Sequence, residues 1–409
     1  MSLRMSTAAI YAAGTTQLNT LQSQMAKTQT QLATNKRILT AADDPIASAR
    51  ALEVTQSQSM NTQFGTNRTN AKNSLSLVDD TLQDVTSQLT EIQSMIVTAG
   101  NGTYSQSDRE ALATELEGRL TDLIGMANTT DGSGSYLFSG YQTGTQPFSQ
   151  TSNGATYQGD QGQRSLQVGS SRKMAISENG SAIFESASTG NGSFQTQAAA
   201  ANTGAGIVSP GSVTDRSKLT GHDYALNFAV SGDPAVTTYT VTDNSTSPAT
   251  DVLKDQPFTA GASISFDGLS FDVKGAPANG DSFTVKPSEK QSVFTTVTNL
   301  ISALRSPADG SAGKAALSNA LGTAGSNMKN ALDNVLTVEA SVGARLKELD
   351  YLDTTGSSLD THYTSTLSDL QDLDMVAAAS LYSQQQVTLQ AAQVSFKTLT
   401  GLSLFNYIS

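Results

Sequence analysis

Few residues in this sequence belong to the types that usually carry out catalysis or bind metals. The 409 residues include no Cys and only two His, His222 and His362. A disulfide framework and thiolate or His-rich zinc sites are therefore excluded. His222 is followed by Asp223-Tyr224-Ala225, so it does not begin a His-Glu-x-x-His metalloprotease motif. We expect both histidines to be surface or capping residues.

The glycine-rich segments also lack the partners that phosphate or nucleophile chemistry needs. Gly313-Lys314 is followed by Ala315 and has no upstream Walker glycine, and no Gly-x-Ser-x-Gly elbow occurs. No basic residue accompanies Gly132-Ser133-Gly134 or Gly190-Asn191-Gly192, so turns are expected there. Carboxylates are abundant, but none stands beside a candidate base. We expect no catalytic residue, no cofactor and no metal site, and we predict that the protein is not an enzyme.

The charge balance excludes two further classes of partner. Charged residues make up 15% of the chain, and the formal net charge is −12. A nucleic-acid binder needs a basic surface, and an acidic surface also disfavours binding to anionic lipid.

The segment after Arg4 is interrupted by Thr, Gln and Gly, unlike a secretory signal. If the protein is exported, we expect a route without a cleaved signal peptide.

The placement of proline separates helical ends from a β-rich middle. Eight of the nine prolines lie between Pro147 and Pro307, and the other is Pro45. Because proline breaks helix interiors, the ends are free to form long helices. The sequence predicts a first helix from about Ser6 to Leu39, and then a second that Asp44 caps and Pro45 begins. The heptad positions of the first helix are Leu18, Leu21, Met25, Leu32 and Leu39.

Helical periodicity recurs in several later stretches. Asn73–Thr98 alternates apolar spacings of three and four, and Ser107 is a candidate cap for the next helix. After the middle of the chain, periodicity resumes at Val293. A final helix is predicted from about Leu359 to Leu399. Its apolar face comprises Leu370, Leu373, Ala377, Leu381, Ala392, Phe396 and Leu399.

Short β segments fill the middle of the chain. Between about residues 136 and 185 they are predicted at Ser135–Ser139, Gln163–Val168, Lys173–Ser177 and Ala182–Phe184, and a linker follows from Ser186 to Gly206. Alternation then predicts strands at Tyr224–Val230, Thr237–Val241, Ser263–Phe266, Leu269–Val273 and Ser282–Val285. The predicted fold is mainly α, with long antiparallel, coiled-coil-like helices from both chain ends, β-hairpins and a small inserted β domain, an α+β multidomain protein.

Each end of the chain has a long window without charge. The 22 residues between Arg4 and Lys27 are uncharged, and so are the 22 between Asp374 and Lys397. Membrane insertion is disfavoured because five glutamines crowd the second window. An ordinary core helix needs only one uncharged face, so we favour helices surrounded by protein in an assembly. We predict that these ends are partly disordered before assembly and fold on docking.

Several motifs resemble those of a known family. Arg37–Pro45 (RILTAADDP) resembles the N-terminal signature of flagellins and their relatives. Ser135–Gly140 (SYLFSG) and Tyr157–Asp160 (YQGD) are similar to the hairpin region of the hook–filament junction family. Ser341–Leu346 (SVGARL), Asp372–Ala378 (DLDMVAA) and Leu402–Ile408 (LSLFNYI) resemble its returning helix and C-terminus. Asp-Asp-Pro and the Leu-Phe-Asn-Tyr ending favour this family, hook-associated protein 3, over flagellin itself.

The resemblance implies a structural adaptor between the flagellar hook and filament, with a flagellin-type filament subunit as the alternative. It implies extracellular location after type III export, a ring of copies, and contacts with the other junction protein and flagellin. It also implies a cytoplasmic chaperone on the C-terminal helix, for which Leu381, Leu389 and Phe396 are candidates. The candidate assembly residues are the two apolar faces given above with Asp43, Asp44 and Pro45. The expected domains are 1–60 with 358–409 (terminal assembly), 61–193 with 290–357 (helical, with hairpins) and 194–289 (inserted β domain).

Overall fold

The computed structural model describes residues 7–401 and has the predicted α+β architecture. Long helices form the first and the last parts of the described chain, and antiparallel β structure is inserted between them. The helices are α1 (Thr7–Thr34), α2 (Pro45–Ala99), α3 (Gln106–Ala127), α4 (Gly180–Phe184), α5 (Val293–Arg305), α6 (Gly310–Gln371) and α7 (Met375–Gly401). The Leu402–Ile408 motif lies outside the described residues.

Three predicted helix boundaries are wrong, each for a local reason. Helix α1 ends at Thr34 and not at Leu39, because Asn35 turns into the left-handed region with φ 53°. The predicted Leu359–Leu399 helix is two helices, broken between Gln371 and Met375. Ser105 caps α3 in place of Ser107, and it exchanges hydrogen bonds with Asp108 in a capping box.

The chain divides into two compact units at Thr66/Asn67 and Tyr351/Leu352. We call them the terminal unit, with α1, α7 and the adjoining ends of α2 and α6, and the inner unit, with everything between. In the inner unit the predicted apolar face of α2 is buried throughout, and it comprises Leu75, Val78, Leu82, Val85, Leu89, Ile92 and Ile96. Each such side chain contributes about 1.5–3 kcal/mol when fully buried.

The hairpin region of the inner unit contains two small antiparallel pairs around an aromatic cluster. The strands are β1 (Phe148–Thr151) with β2 (Gly154–Tyr157), and β3 (Ser165–Gly169) with β4 (Arg172–Ala175). Ala182–Phe184, predicted as a strand, lies in helix α4 because Asn179 accepts a hydrogen bond from the Ala182 amide and caps it. Ser135–Ser139 forms only isolated bridges. The aromatic cluster consists of four rings that pack against one another, those of Phe138, Phe148, Phe184 and Phe294.

The inserted β domain consists of two sheets packed over one core. The remaining strands are β5 (Ala187–Ser188), β6 (Phe194–Ala198), β7 (Ile207–Val208), β8 (Ser212–Val213), β9 (Tyr224–Ser231), β10 (Val236–Asp243), β11 (Thr250–Pro257), β12 (Ser263–Phe266), β13 (Leu269–Lys274), β14 (Ser282–Pro287) and β15 (Lys290–Gln291). One sheet has the order β11-β10-β9-β14-β6, and the other has β12-β13-β7 with β8 also on β13. Strand β11 was not predicted, and the predicted linker Ser186–Gly206 contains β5 and β6.

Candidate assembly surface

Helices α1 and α7 pack along each other in the terminal unit. The α1 face that turns away from solvent carries Leu18, Leu21, Met25, Thr28 and Leu32, with Thr28 buried. It repeats every three or four residues, as the predicted heptad does. The facing side of α7 carries Ala378, Tyr382, Gln385, Leu389, Ala392 and Phe396. The two chain ends therefore form one helical pair.

The other residues predicted for terminal packing have varied positions. Ala392 and Phe396 are half-buried on the inner side of α7, whereas Ala377, Leu381 and Leu399 are exposed. The register differs from the prediction because a new helix begins at Met375. Its cap is Asp374, whose Oδ1 accepts the Val376 amide at 3.0 Å and the Ala377 amide at 2.9 Å. Leu39, Leu370 and Leu373 are half-buried at the ends of the helices, not within the pair.

Gly14 allows the ring of Phe396 to approach the backbone of α1. A Cβ at position 14 would lie 2.6 Å from Cδ2 of Phe396, closer than van der Waals contact allows. Beside this contact, the rings of Tyr11 and Phe396 meet edge to face with centroids 5.7 Å apart. The smallest residue on one helix and a large one on the other thus interlock. Sequence periodicity alone did not single out Gly14.

Two aspartates organise the connector between α1 and α2, which covers residues 35–44. The carboxylate of Asp43 accepts hydrogen bonds from the Leu39 amide at 3.0 Å and the Thr40 amide at 2.9 Å. Lys27 on α1 donates to it at 2.5 Å. Asp44 accepts from the Ala47 amide at 3.0 Å, so it caps α2 with Pro45 in the first helical position. The aspartates of the Asp-Asp-Pro motif therefore hold the turn and begin the next helix.

These contacts lower the pKa of both carboxyl groups. For Asp43 the main cause is the hydrogen bond from Lys27, followed by the amide of Thr40. For Asp44 the main cause is the amide of Ala47. Hydrogen bonds to the ionised form stabilise it, so both carboxylates stay charged well below neutral pH.

The same connector ties the first chain end to the last. The backbone amide of Arg37 donates to the Gln371 carbonyl at 2.7 Å, and its guanidinium donates to the Leu370 carbonyl at 2.8 Å. The guanidinium also contacts Asp44 at 3.3 Å. Lys36 and Asp372 form an isolated antiparallel bridge. Helix α6 ends and α7 begins at these partners. The α1–α2 connector and the α6–α7 break are therefore hydrogen-bonded to each other.

The terminal unit exposes apolar side chains on α7 and near the start of α2. On α7, Val376, Val387 and Val394 are 83%, 63% and 66% exposed. Ile46 and Leu52 on α2 are 83% and 70% exposed. All residues of α7 up to Phe396 are uncharged. An apolar face of this kind marks a protein interface more often than a solvated surface.

Chemical sites are not evident in the part of the chain that the structure describes. Within residues 7–401, no group of His, Asp and Glu side chains is arranged to bind a metal ion. Over the same residues, no helix combines the length and apolarity needed to cross a membrane. His222 contacts Asp243 through Nδ1 at 2.7 Å, with 38% of its side chain exposed. His362 lies exposed on α6.

The hairpin motifs form a network of hydrogen bonds in the inner unit. Asp160 accepts from the Tyr141 amide at 3.0 Å, and Tyr157 donates its hydroxyl to the Phe138 carbonyl at 2.9 Å. Arg345 of the Ser-Val-Gly-Ala-Arg-Leu motif forms an ion pair with buried Glu178 at 2.6 Å. Sequence reasoning recognised the motifs but did not foresee the partner of Arg345.

A row of asparagines on α6 was also missed. The side-chain amide of Asn334 donates to the carbonyls of Ala182 and Ile183, and that of Asn330 to those of Ser188 and Gly190. Asn327 accepts from the Gly190 amide at 2.8 Å. Asn319 accepts from the Val208 amide and donates to the Gly206 carbonyl. This asparagine row, Asn319, Asn327, Asn330 and Asn334, binds the chain that enters the β domain.

Comparison with known proteins agrees with this architecture along the whole chain. The bacterial flagellin N-terminal helical region family matches residues 5–143, and the D2-like domain of flagellar hook-associated protein 1 matches residues 197–287. Flagellar hook-associated protein 3 of Escherichia coli (strain K12) is 30% identical over 404 residues, which is 98% of this chain and 99% of the relative.

Solved structures give the same result. The crystal structure of hook-associated protein 3 from Legionella pneumophila has a TM-score of 0.74 at 30% identity, over 78% of this chain and 98% of that one. FlgL from Xanthomonas campestris has a TM-score of 0.70 at 30% identity, over 77% and 99% of the respective chains. Sequence identity over nearly the full length and a common fold agree: this chain belongs to the flagellar hook-associated protein 3 family.

Proposed function

We propose that this chain is the structural adaptor that joins the flagellar hook to the filament, and that it assembles through its terminal helices. The observation that carries the proposal is the full-length match to flagellar hook-associated protein 3. The pairing of α1 with α7 and the uncharged, exposed apolar residues of α7 supply the physical means, because exposed apolar patches mark sites of protein interaction. The role is mechanical, and no catalytic step is proposed.

The proposed neighbours are further copies of this chain in a ring, the other junction protein on the hook side and flagellin on the filament side. Residues 1–60 with 358–409 would form the wall of the tube, and 61–193 with 290–357 would stiffen it. Residues 194–289 would project outward. The long helices α2 and α6 suit stiffness, because their backbone hydrogen bonds and buried faces resist bending.

We propose export without a cleaved signal, with a chaperone on α7 before assembly. Leu389 is 8% exposed against α1, Phe396 is half-buried there, and Leu381 is 46% exposed. A chaperone that binds all three residues must separate α7 from α1, because Leu389 and Phe396 face α1. The chaperone and α1 would then compete for one helix face.

Deletion of the gene, followed by complementation, tests the proposed function. Loss of the chain should leave intact hooks without filaments and release flagellin into the medium. The wild-type gene should restore attachment. A filament subunit, the alternative, would be present in far more copies than a ring. Quantification of this chain against flagellin in purified flagella separates the two. Cells that keep attached filaments without the gene would contradict the adaptor role.

A further inference from the structure

An open cleft lies in the inner unit between β6, α5 and the first part of α6. Its volume is about 670 Å³, within the usual range for binding pockets. Its walls carry seven residues with carboxamide side chains, with alanines and glycines between them: Gln195, Gln197, Asn202, Gln291, Asn299, Asn319 and Asn327. No charged or aromatic side chain is among the described residues that line it. In a chain of net charge −12, this is a neutral polar site.

Several of these amides have hydrogen-bonding capacity to offer. Asn202 exchanges two hydrogen bonds with the Ser282 backbone, and Asn319 is engaged with the Val208 amide and the Gly206 carbonyl. Gln291 uses its amide group on Thr296 and leaves its carbonyl oxygen available. Within residues 7–401, the side chains of Gln195, Gln197 and Asn299 have no protein partner. Carboxamides both donate and accept, so they match the alternating N–H and C=O groups of a peptide backbone.

The chemistry of the walls narrows the occupant to an uncharged peptide with small side chains. A charged segment would lose hydration without gaining an ionic partner. The small wall residues, such as Ala303 and Ala320, allow close approach of a backbone. The turn between β10 and β11 has the required composition, since Asn244-Ser245-Thr246-Ser247-Pro248-Ala249 is uncharged. Except for half-buried Thr246, the turn is exposed.

The sheet register places this turn level with the cleft, at the opposite edge. Asp243, where the turn begins, is paired with Tyr224 on β9. Tyr224 is paired with Val285 on β14, and Val285 with Thr196 on β6. A row of cross-strand neighbours therefore runs from the turn to the cleft wall. Repetition of the sheet along this row would bring the turn of one copy to the cleft of the next.

We propose that the cleft binds the 244–249 turn of a neighbouring copy of this chain. The contact is head to tail, because the two surfaces lie at opposite edges of one sheet. Head-to-tail contacts generate rings when their rotation closes. The inference rests on the proposed assembly of copies at the junction, and it assigns a role to the inserted β domain.

The absence of Cys from the chain makes crosslinking a clean test. The double variant Ser247→Cys, Asn299→Cys places one thiol on the turn and one in the cleft, both at exposed positions. The matched control Ser247→Cys, Ser318→Cys keeps the turn thiol and moves the other to an exposed position on α6 that does not line the cleft. Each is expressed in the deletion strain, and isolated flagella are oxidised and blotted for this chain.

We expect a ladder of disulfide-linked multimers from the cleft variant and none from the control. Attached filaments with no ladder, or with equal ladders from both variants, would overturn the contact while the adaptor role stands. Failure of the wild-type chain to restore filaments would overturn the adaptor role itself, and the contact with it.

A second measurement does not depend on disulfide geometry. The Asn299→Cys thiol should react with a maleimide in the purified full chain and lose that reactivity in assembled flagella. Adding Ser247→Glu should restore reactivity, because a carboxylate would be buried in a neutral cleft. Equal reactivity before and after assembly would refute the contact.

Discussion

At the scale of residues, the charged groups of the Arg37–Pro45 motif have a structural role in this chain. Asp43, Asp44 and Arg37 fix the turn between the first two helices and tie it to the last turn of α6. Their hydrogen bonds go to amides of the connector and to backbone groups that the ends of α2 and α6 would otherwise leave unpaired. In this chain the Arg37–Pro45 motif therefore acts as a set of caps and connectors within the terminal unit.

The Asp43 carboxylate should make the stability of the terminal unit depend on pH. Its pKa is lower in the folded state than the unperturbed value of about 3.9, so its contribution is complete above that value. The contribution is lost as pH falls below about 4 toward the folded pKa. In thermal unfolding followed by circular dichroism, Asp43→Asn should lower the melting temperature at pH 7, and the difference should narrow at pH 3. The exposed Glu53→Gln on α2 is the control, and an equal effect at both pH values would refute the role.

Gly14 should resist a substitution that helix propensity favours. Alanine is about 1 kcal/mol better than glycine in a helix interior. At Gly14 its Cβ would overlap the Phe396 ring, and such overpacking costs about 1–3 kcal/mol. Gly14→Ala should thus weaken the α1–α7 pair.

Gly343→Ala on α6 is the matched control, because its Cβ would meet nothing within 4 Å. It should stabilise the inner unit by about 0.5–1 kcal/mol. Adding Phe396→Leu to Gly14→Ala should recover part of the loss. Denaturant unfolding in which Gly14→Ala is as stabilising as the control would show that the ring does not restrict this position.

At the scale of elements, the asparagine row on α6 determines where the chain enters the β domain. Asn327→Ala removes the acceptor of the buried Gly190 amide and should cost about 1–3 kcal/mol of unfolding free energy. Asn334→Ala removes the donor that the carbonyls of Ala182 and Ile183 share, and because Ile183 is buried the cost should also be about 1–3 kcal/mol. Exposed Lys329→Ala is the control. Hydrogen exchange should show faster opening at residues 187–198 in Asn327→Ala, and unchanged exchange there would contradict the role.

Element types were predictable where a period persists, and boundaries were not. The apolar repeat of α2 and the alternation of β9 and β14 identified those elements directly. Helix α4 was predicted as a strand because five residues are too few to show a period, and its cap at Asn179 decides its type. Strand β11 was missed because charged and polar residues dominate an edge strand. The break before Met375 depends on Asp374 and on partners distant in sequence, such as Arg37.

The same limit applies to the candidate assembly surface. The heptad of α1 predicted its inner face from Leu18 to Leu32, since the helix is continuous there. On α7 the prediction extended the register across a break, so Ala378 and Tyr382 face inward where Ala377 and Leu381 were expected, and only Ala392 and Phe396 of the predicted face do so. Long-range partners such as Glu178 with Arg345 left no local signal in the sequence.

At the scale of the whole molecule, the two units differ in how completely each covers its own apolar surface. The inner unit buries the apolar face of α2 and a separate β core. The terminal unit leaves Val376, Val387 and Val394 in solvent and holds α7 mainly through α1. Local stability follows buried apolar contact, so α1 and α7 should open first.

Limited proteolysis of the purified full chain should therefore cut α1 and α7 early and leave residues 67–351 intact. Thermolysin suits the test because it cleaves beside exposed apolar residues, such as Val387 and Val394 on α7. The matched sites are Val97 and Tyr351, which are 75% and 70% exposed in the inner unit, on helices with buried faces. Mass spectrometry of the first fragments identifies the cuts.

In assembled flagella the α7 sites should become resistant to thermolysin, because neighbouring subunits cover them. Early cleavage at Val97 with α7 intact would mean that exposure alone, and not weak burial, controls opening. Equal rates in the free and assembled chain would mean that the apolar face of α7 has no neighbour in the flagellum.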